Sequence, residues 1–131
     1  MTETRRVDGK RPWSPIVGYS RAVRRGTFVE VSGTSATRPD GTIVAPGDPY
    51  LQTVEALRVV LEALAELGAR PEDVTRTRVY LTDISMWQDV GRAHGEVFGR
   101  ILPACSFVEV RALMLPELVV EVEATAVVLA D

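Results

Sequence analysis

An α+β fold, in which one mixed β-sheet carries two helices on a single face, is predicted by three features of the sequence. Its segments follow the order β-β-α-β-α-β-β, two of them are amphipathic with clear helix boundaries, and the strands near the end alternate strictly between apolar and polar residues.

Val17 to Ser32 reads as two short extended runs around Arg25-Gly26, a pair suited to a tight hairpin turn. Side chains alternate along a strand, so Val29 and Val31 point to one face and Phe28, Glu30 and Ser32 to the other. Arg38-Pro39-Asp40-Gly41 and Pro46-Gly47-Asp48-Pro49 are turn chemistry and predict a loop before the first helix. That helix begins with Asp48 as N-cap and Pro49 at its first position, and it ends at Gly68 with Pro71 just beyond. Leu51, Val54, Leu57, Leu61, Leu64 and Leu67 recur at steps of three and four and form its sheet-facing stripe.

Val74 to Leu81 is a strand with Arg76, Arg78 and Tyr80 on one face and Thr75, Thr77, Val79 and Leu81 on the other. A second helix runs from Ser85 towards Arg100, where Ser85 and Gln88 have the spacing of a capping box. Trp87, Val90, His94, Val97 and Ile101 share its apolar stripe, which makes His94 a core histidine. Gly91, Gly95 and Gly99 each cost about 1 kcal/mol of helix propensity relative to alanine, which predicts close approach of a neighbouring backbone.

Ala104 to Ala112 and Leu118 to Leu129 are the last strands. In the first, Cys105, Phe107, Glu109 and Arg111 share one face; in the second, Leu118, Val120, Val122, Ala124, Ala126 and Val128 form an apolar face opposite Val119, Glu121, Glu123 and Thr125. Two helices cover one face only. The other is expected to carry Phe28, Tyr80, Phe107 and Cys105 among several charges, a mixture suited to a subunit interface.

At 131 residues the chain has the size of one domain, 1–131, with residues 1–15 expected to form a loosely ordered extension. Hydrophobic residues at 46% and charged residues at 25% supply a core and argue against disorder. A domain this small buries only about two-thirds of its chain surface, which favours association. The polar, basic stretch from Met1 to Trp13 has the character of neither a signal peptide nor a membrane anchor, so a cytoplasmic location without membrane partners is expected. One cysteine and one histidine are too few for an intrachain disulfide or a metal cage, so no metal is expected. A net charge of −3 disfavours nucleic acid as a partner.

Several segments, taken together and in order, resemble the Rid (reactive intermediate deaminase, YjgF) family. They are Gly18-Tyr19-Ser20-Arg21-Ala22-Val23, Val31-Ser32-Gly33, Gln52 with Leu57, Val79-Tyr80-Leu81-Thr82-Asp83, Pro103-Ala104, and Val120-Glu121-Val122-Glu123-Ala124, and the resemblance covers nearly all of positions 16 to 129. It implies a homotrimer of chorismate-mutase-like subunits with clefts at their boundaries, and hydrolysis of imines and enamines such as 2-aminoacrylate to a carbonyl compound and ammonia without a cofactor. Carried over by position, Glu121 orients and deprotonates the attacking water, Tyr19 walls the cleft, and Ser32 and Gly33 offer contacts from the adjacent subunit.

Two departures bear on the substrate. Where the family's Pro-Ala-Arg motif has a carboxylate-gripping arginine, this chain has Cys105, and the helix asparagine of well-characterised deaminases falls at Gly91. Trp87 stands where the family has phenylalanine and joins Cys105 among the substrate-binding candidates, while His94 stands where it often has tyrosine. A lost guanidinium–carboxylate contact removes about 1.5 to 3 kcal/mol, which makes 2-aminoacrylate a poor substrate unless another arginine, such as Arg21, Arg100 or Arg111, replaces it. A nucleophilic Cys105 activated by His94 is opposed by the expectation that the two face opposite sides of the sheet. The leading expectation is therefore a hydrolase or deaminase acting on a small C–N substrate. The alternative is a non-catalytic trimer that binds a metabolite or regulates an enzyme, and ribonuclease activity is the weakest of the three.

Overall fold

The computed structural model describes residues 3–129. Its elements run β1 (Thr4–Asp8), α1 (Ser14–Val17), β2 (Ser20–Arg25), β3 (Phe28–Thr34), α2 (Pro49–Glu66), β4 (Val74–Leu81), α3 (Trp87–Phe98), β5 (Ala104–Glu109) and β6 (Val120–Val127). The strands form one sheet in the order β1-β2-β3-β6-β4-β5. All neighbours are antiparallel except β4 and β5, which α3 connects in parallel. This mixed sheet with helices on one face is the architecture expected, with one strand added at the N-terminal edge.

β6 occupies the middle of the sheet because its alternation is the cleanest in the chain: Val120, Val122, Ala124 and Ala126 are buried, while Glu121, Glu123 and Thr125 are half-buried on the opposite face. α2 packs across β6 and β3. Its start follows the cap signal, with the Asp48 carboxylate accepting from the Leu51 N–H at 2.9 Å, and Gly68 beyond its end takes φ 78°. The buried seam of α2 is rotated from the leucine stripe, however. Gln52, Thr53, Ala56, Val59, Val60 and Ala63 join Leu57, Leu64 and Leu67 in it, while Leu51 and Val54 are exposed. The small residues let the helix lie close to the sheet.

Gln52 is fully buried and fully satisfied. Its Nε2 donates to the carbonyls of Ala45 (3.0 Å) and Glu117 (2.9 Å), and its Oε1 accepts from Val119 N–H (2.9 Å). This amide fastens the lead into β6, and hence the position of Glu121, to the helix layer.

The structure corrects four expectations. Residues 1–15 are not a loose extension within the described range: Thr4–Asp8 pairs with β2 as an edge strand anchored by buried Val7, and Ser14–Val17 is a short helix. The start of the second helical segment is capped by Asp83, whose carboxylate accepts from Ser85 N–H at 2.9 Å, instead of by a Ser85–Gln88 box. Gly91 and Gly95 meet no neighbouring backbone among the described residues.

The fourth correction concerns β5. Parallel register sets Cys105 level with Thr77 and Phe107 level with Val79, both core residues. Cys105, Phe107 and Glu109 therefore belong to the helix-covered side. Phe107 meets the ring of His94 edge-on, and Ser106 on the other face accepts from Arg76 at 2.9 Å. Alternation gives a strand its period but not its sign, and with Phe107 and Val108 both apolar the sequence alone leaves that sign open.

Phe98, absent from the anticipated stripe of α3, is 2% exposed and belongs to the core. Phe98→Ala should cost about 3–5 kcal/mol. Urea denaturation measures it, and a loss under 1 kcal/mol would mean that α3 is not fixed by this ring.

Candidate functional site

On the face that the helices leave open, the alternation of β2, β3 and β6 brings polar side chains to the wall of one cavity of about 350 Å³. Tyr19, Arg21, Ser32, Gly33, Glu121 and Glu123 form its polar wall. Trp13, Val17, Met114 and Leu118 supply an apolar rim. The volume is at the lower end of small-molecule sites.

β3 carries a bulge between Val31 and Thr34, so that Ser32 and Gly33 oppose a single residue of β6. Gly33 leaves room for the neighbouring strand's acid: a Cβ built on it would stand 2.6 Å from Glu121 Oε2. Ser32 donates to the Ser20 carbonyl at 2.6 Å, so towards the cavity its hydroxyl can only accept.

Glu121 accepts no hydrogen bond among the described residues, whereas its neighbour Glu123 accepts from the Tyr80 hydroxyl at 2.7 Å. Burial first, and the charge of Glu123 second, push the Glu121 carboxyl above its usual value of 4.5, and Arg21 opposes them. A partly desolvated carboxylate with free oxygens can take up and return a proton.

Of the six residues singled out in the sequence, Tyr19, Ser32, Gly33 and Glu121 meet at this cavity within one chain. Within this chain Ser32 and Gly33 thus line the same cavity as Glu121, and Gly33 stands directly beside its carboxylate. Trp87 and Cys105 do not line it: Trp87 is 54% exposed at the start of α3, and Cys105 is exposed on the helix side of the sheet edge. Sequence reasoning left Arg21 as only one of three substitutes for the missing arginine and did not find Trp13. The available signal for Arg21 was its place two residues after Tyr19, the period that puts alternate residues on one side of an extended chain.

Cys105 and His94 prove to be on the same side of the sheet, against expectation. His94 Nε2 is 2.8 Å from the hydroxyl of buried Thr77, and burial lowers its pKa below 6.5. The hydrogen bond of its ring nitrogen goes to a core threonine.

The family model described as Endoribonuclease L-PSP matches residues 9–128. An uncharacterized protein of Streptomyces coelicolor is 39% identical over 122 residues, which are 93% of this chain and 90% of that protein. A RutC family protein of Pyrococcus abyssi is 33% identical over 86% of this chain and 87% of its own length. Among solved structures, a Mycobacterium tuberculosis member of the YjgF/YER057c/UK114 family has 44% identity and a TM-score of 0.87, covering 96% of this chain and all of that one. By fold, by sequence model and by the relatives it matches along most of its length, the chain belongs to the Rid/YjgF family.

Proposed function

We propose that the protein is a small-molecule hydrolase of the Rid family, a deaminase that splits an imine, enamine or related C–N substrate in the cavity lined by Glu121. The observation that carries this reading is the Glu121 carboxylate itself, half-buried, unpaired among the described residues and open to that cavity. A protonated imine carbon is already electrophilic. Glu121 takes a proton from water as the water oxygen bonds to that carbon and returns it to the nitrogen of the tetrahedral amino alcohol. The carboxylate then takes the hydroxyl proton as the C–N bond breaks and passes it to solvent or to the departing ammonia. A carbonyl compound and ammonia leave, and neither metal nor cofactor is required. Standard handling of 2-aminoacrylate is not part of the proposal, because position 105 offers a thiol where a guanidinium is needed.

The working unit is proposed to be a trimer. The open sheet face exposes Phe28 at 64% and carries Tyr80 and Val108, apolar surface that association would cover. Trp87 and Cys105 enter this reading only as residues that a neighbouring copy brings to the rim of the cavity. Light scattering should return about three times 14.3 kDa. A monomer at micromolar concentration would remove the intersubunit cleft.

Glu121→Gln tests the catalytic role and should lower kcat by about 10²- to 10⁴-fold. Because the folded carboxyl is raised, the stability it contributes is full at low pH and is lost as pH rises through the raised value. The permanently neutral glutamine should therefore melt above the wild type at neutral pH and lose that advantage in acid. Unchanged turnover would leave a binding trimer as the surviving reading.

Gly33→Ala should keep the fold, since its Cβ meets the mobile end of Glu121 rather than backbone. Turnover should nevertheless fall at least tenfold as the carboxylate is pushed aside, because such displacements cost about 10²-fold in well-placed sites. Full activity with a displaced Glu121, seen by crystallography, would separate the acid from the chemistry.

A further inference from the structure

Two arginines, Arg11 and Arg21, are buried without a carboxylate at ion-pair distance, since the ion pairs among the described residues all belong to Arg58, Arg70 and Arg92; of the two, Arg21 lines the cavity. They differ in how their donors are used. Arg11 spends its fork on the protein, with Nε donating to Thr37 Oγ1 (2.8 Å), Nη2 to the Thr37 carbonyl (2.6 Å) and Nη1 to the Lys10 carbonyl (2.8 Å). That set ties the N-terminal segment to the loop after β3.

Arg21 is 6% exposed and less well served. Its Nη1 donates to the Gly33 carbonyl (2.8 Å) and Thr34 Oγ1 (3.1 Å), but Nη2 has only the long contacts to Tyr19 Oη (3.3 Å) and the Gly9 carbonyl (3.5 Å), and Nε has no partner. A buried cation with no carboxylate at ion-pair distance and a weakly used edge is a costly arrangement for packing alone.

Tyr19 extends this edge into the cavity. Its hydroxyl accepts from the Trp13 indole N–H at 2.9 Å and from Arg21, and it donates to no acceptor among the described residues. Two donors pointed at the oxygen polarise the remaining O–H, which is free to bind an acceptor in the cavity.

We propose that Arg21 is the specificity-determining residue of this site, making with the Tyr19 hydroxyl an anion receptor for the carboxylate of a small substrate at the β2 end of the cavity. Tyr19 delivers the hydrogen bond and Arg21 the charge, with Nη2 exchanging its long contact to the Gly9 carbonyl for the anion while keeping Tyr19. The receptor acts from β2, separated from Glu121 on β6 by β3, so it orients a carboxylate from a different place than position 105 on β5. The inference rests on the proposed use of the cavity as a binding site but not on catalysis.

The test is binding of 2-oxobutanoate and of its neutral amide, 2-oxobutanamide, to the whole protein by calorimetry, a readout that needs no turnover. The wild type should bind the carboxylate about ten- to a hundredfold more tightly than the amide, in the range of a charge-assisted contact. Arg21→Gln should bring that ratio towards one. Tyr19→Phe, which leaves the buried charge in place, should weaken the carboxylate about tenfold. Equal affinity of the two ligands for the wild type, or no saturable carboxylate binding at millimolar concentration, would overturn the proposal even if Arg21→Gln failed to fold. An inactive protein that still prefers the carboxylate would refute the hydrolase and keep the receptor; an active one without that preference would do the reverse.

Discussion

Coverage of one sheet face only is the constraint on which the rest of this molecule depends. With α2 and α3 on one side, the two-residue alternation of the strands sends apolar side chains to the helices and delivers every second residue of β2, β3, β4 and β6 to the other side. Arg21, Ser32, Tyr80, Glu121 and Glu123 reach the open face in this way. The core thereby fixes the spacing of the polar groups, and the bulge at Ser32–Gly33, one of three register shifts in the sheet, sets the Glu121 carboxylate beside a backbone without a Cβ.

The parts legible in the sequence are those where a local signal and a long-range need agree. Val74–Leu81 is the strand anticipated, residue for residue, because β-branched residues alternate there with arginines. Asp48-Pro49 marks the start of α2 by cap chemistry, and the valines of β6 announce its central place. Where the signal is divided, the sequence misleads. β1 is an edge strand that needs one buried side chain, Val7, so its Thr-Arg-Arg-Val-Asp composition looks like a polar tail. α2 lays alanines and Gln52 against the sheet and leaves two of its six stripe residues, Leu51 and Val54, exposed, since close packing rewards small residues that carry little weight in an apolar stripe. The sign of β5 depends on its register with β4, which no local pattern encodes.

The same division runs through the site. Glu121, Ser32 and Gly33 were visible because they sit in short segments shared with the family and on strands of plain alternation. Arg21 was visible only as one arginine of several: its significance lies in its partners, namely two hydroxyls and two carbonyls but no carboxylate at ion-pair distance. The β5 reversal also changes how Cys105 is understood. It shares a side of the sheet with His94, so facing does not separate them, yet the imidazole is held by Thr77 and its pKa is lowered by burial, and the thiol opens to solvent at the sheet edge.

Glu121 and Arg21 are opposite charges lining one cavity that do not collapse into an ion pair. Collapse is prevented by what holds each of them. Arg21 is pinned through Nη1 to the Gly33 carbonyl and Thr34, and Glu121 stands on the next strand over, against the bare Cα of Gly33. An ion pair would satisfy both groups and leave the cavity electrically silent. Holding them apart keeps a partly desolvated acid and an anchored, buried cation that face the same space, where a lowered dielectric lets both charges act more strongly on what binds there. The bulge, the glycine and the arginine's anchoring to backbone carbonyls therefore serve one end: they hold two charges near each other without letting them meet.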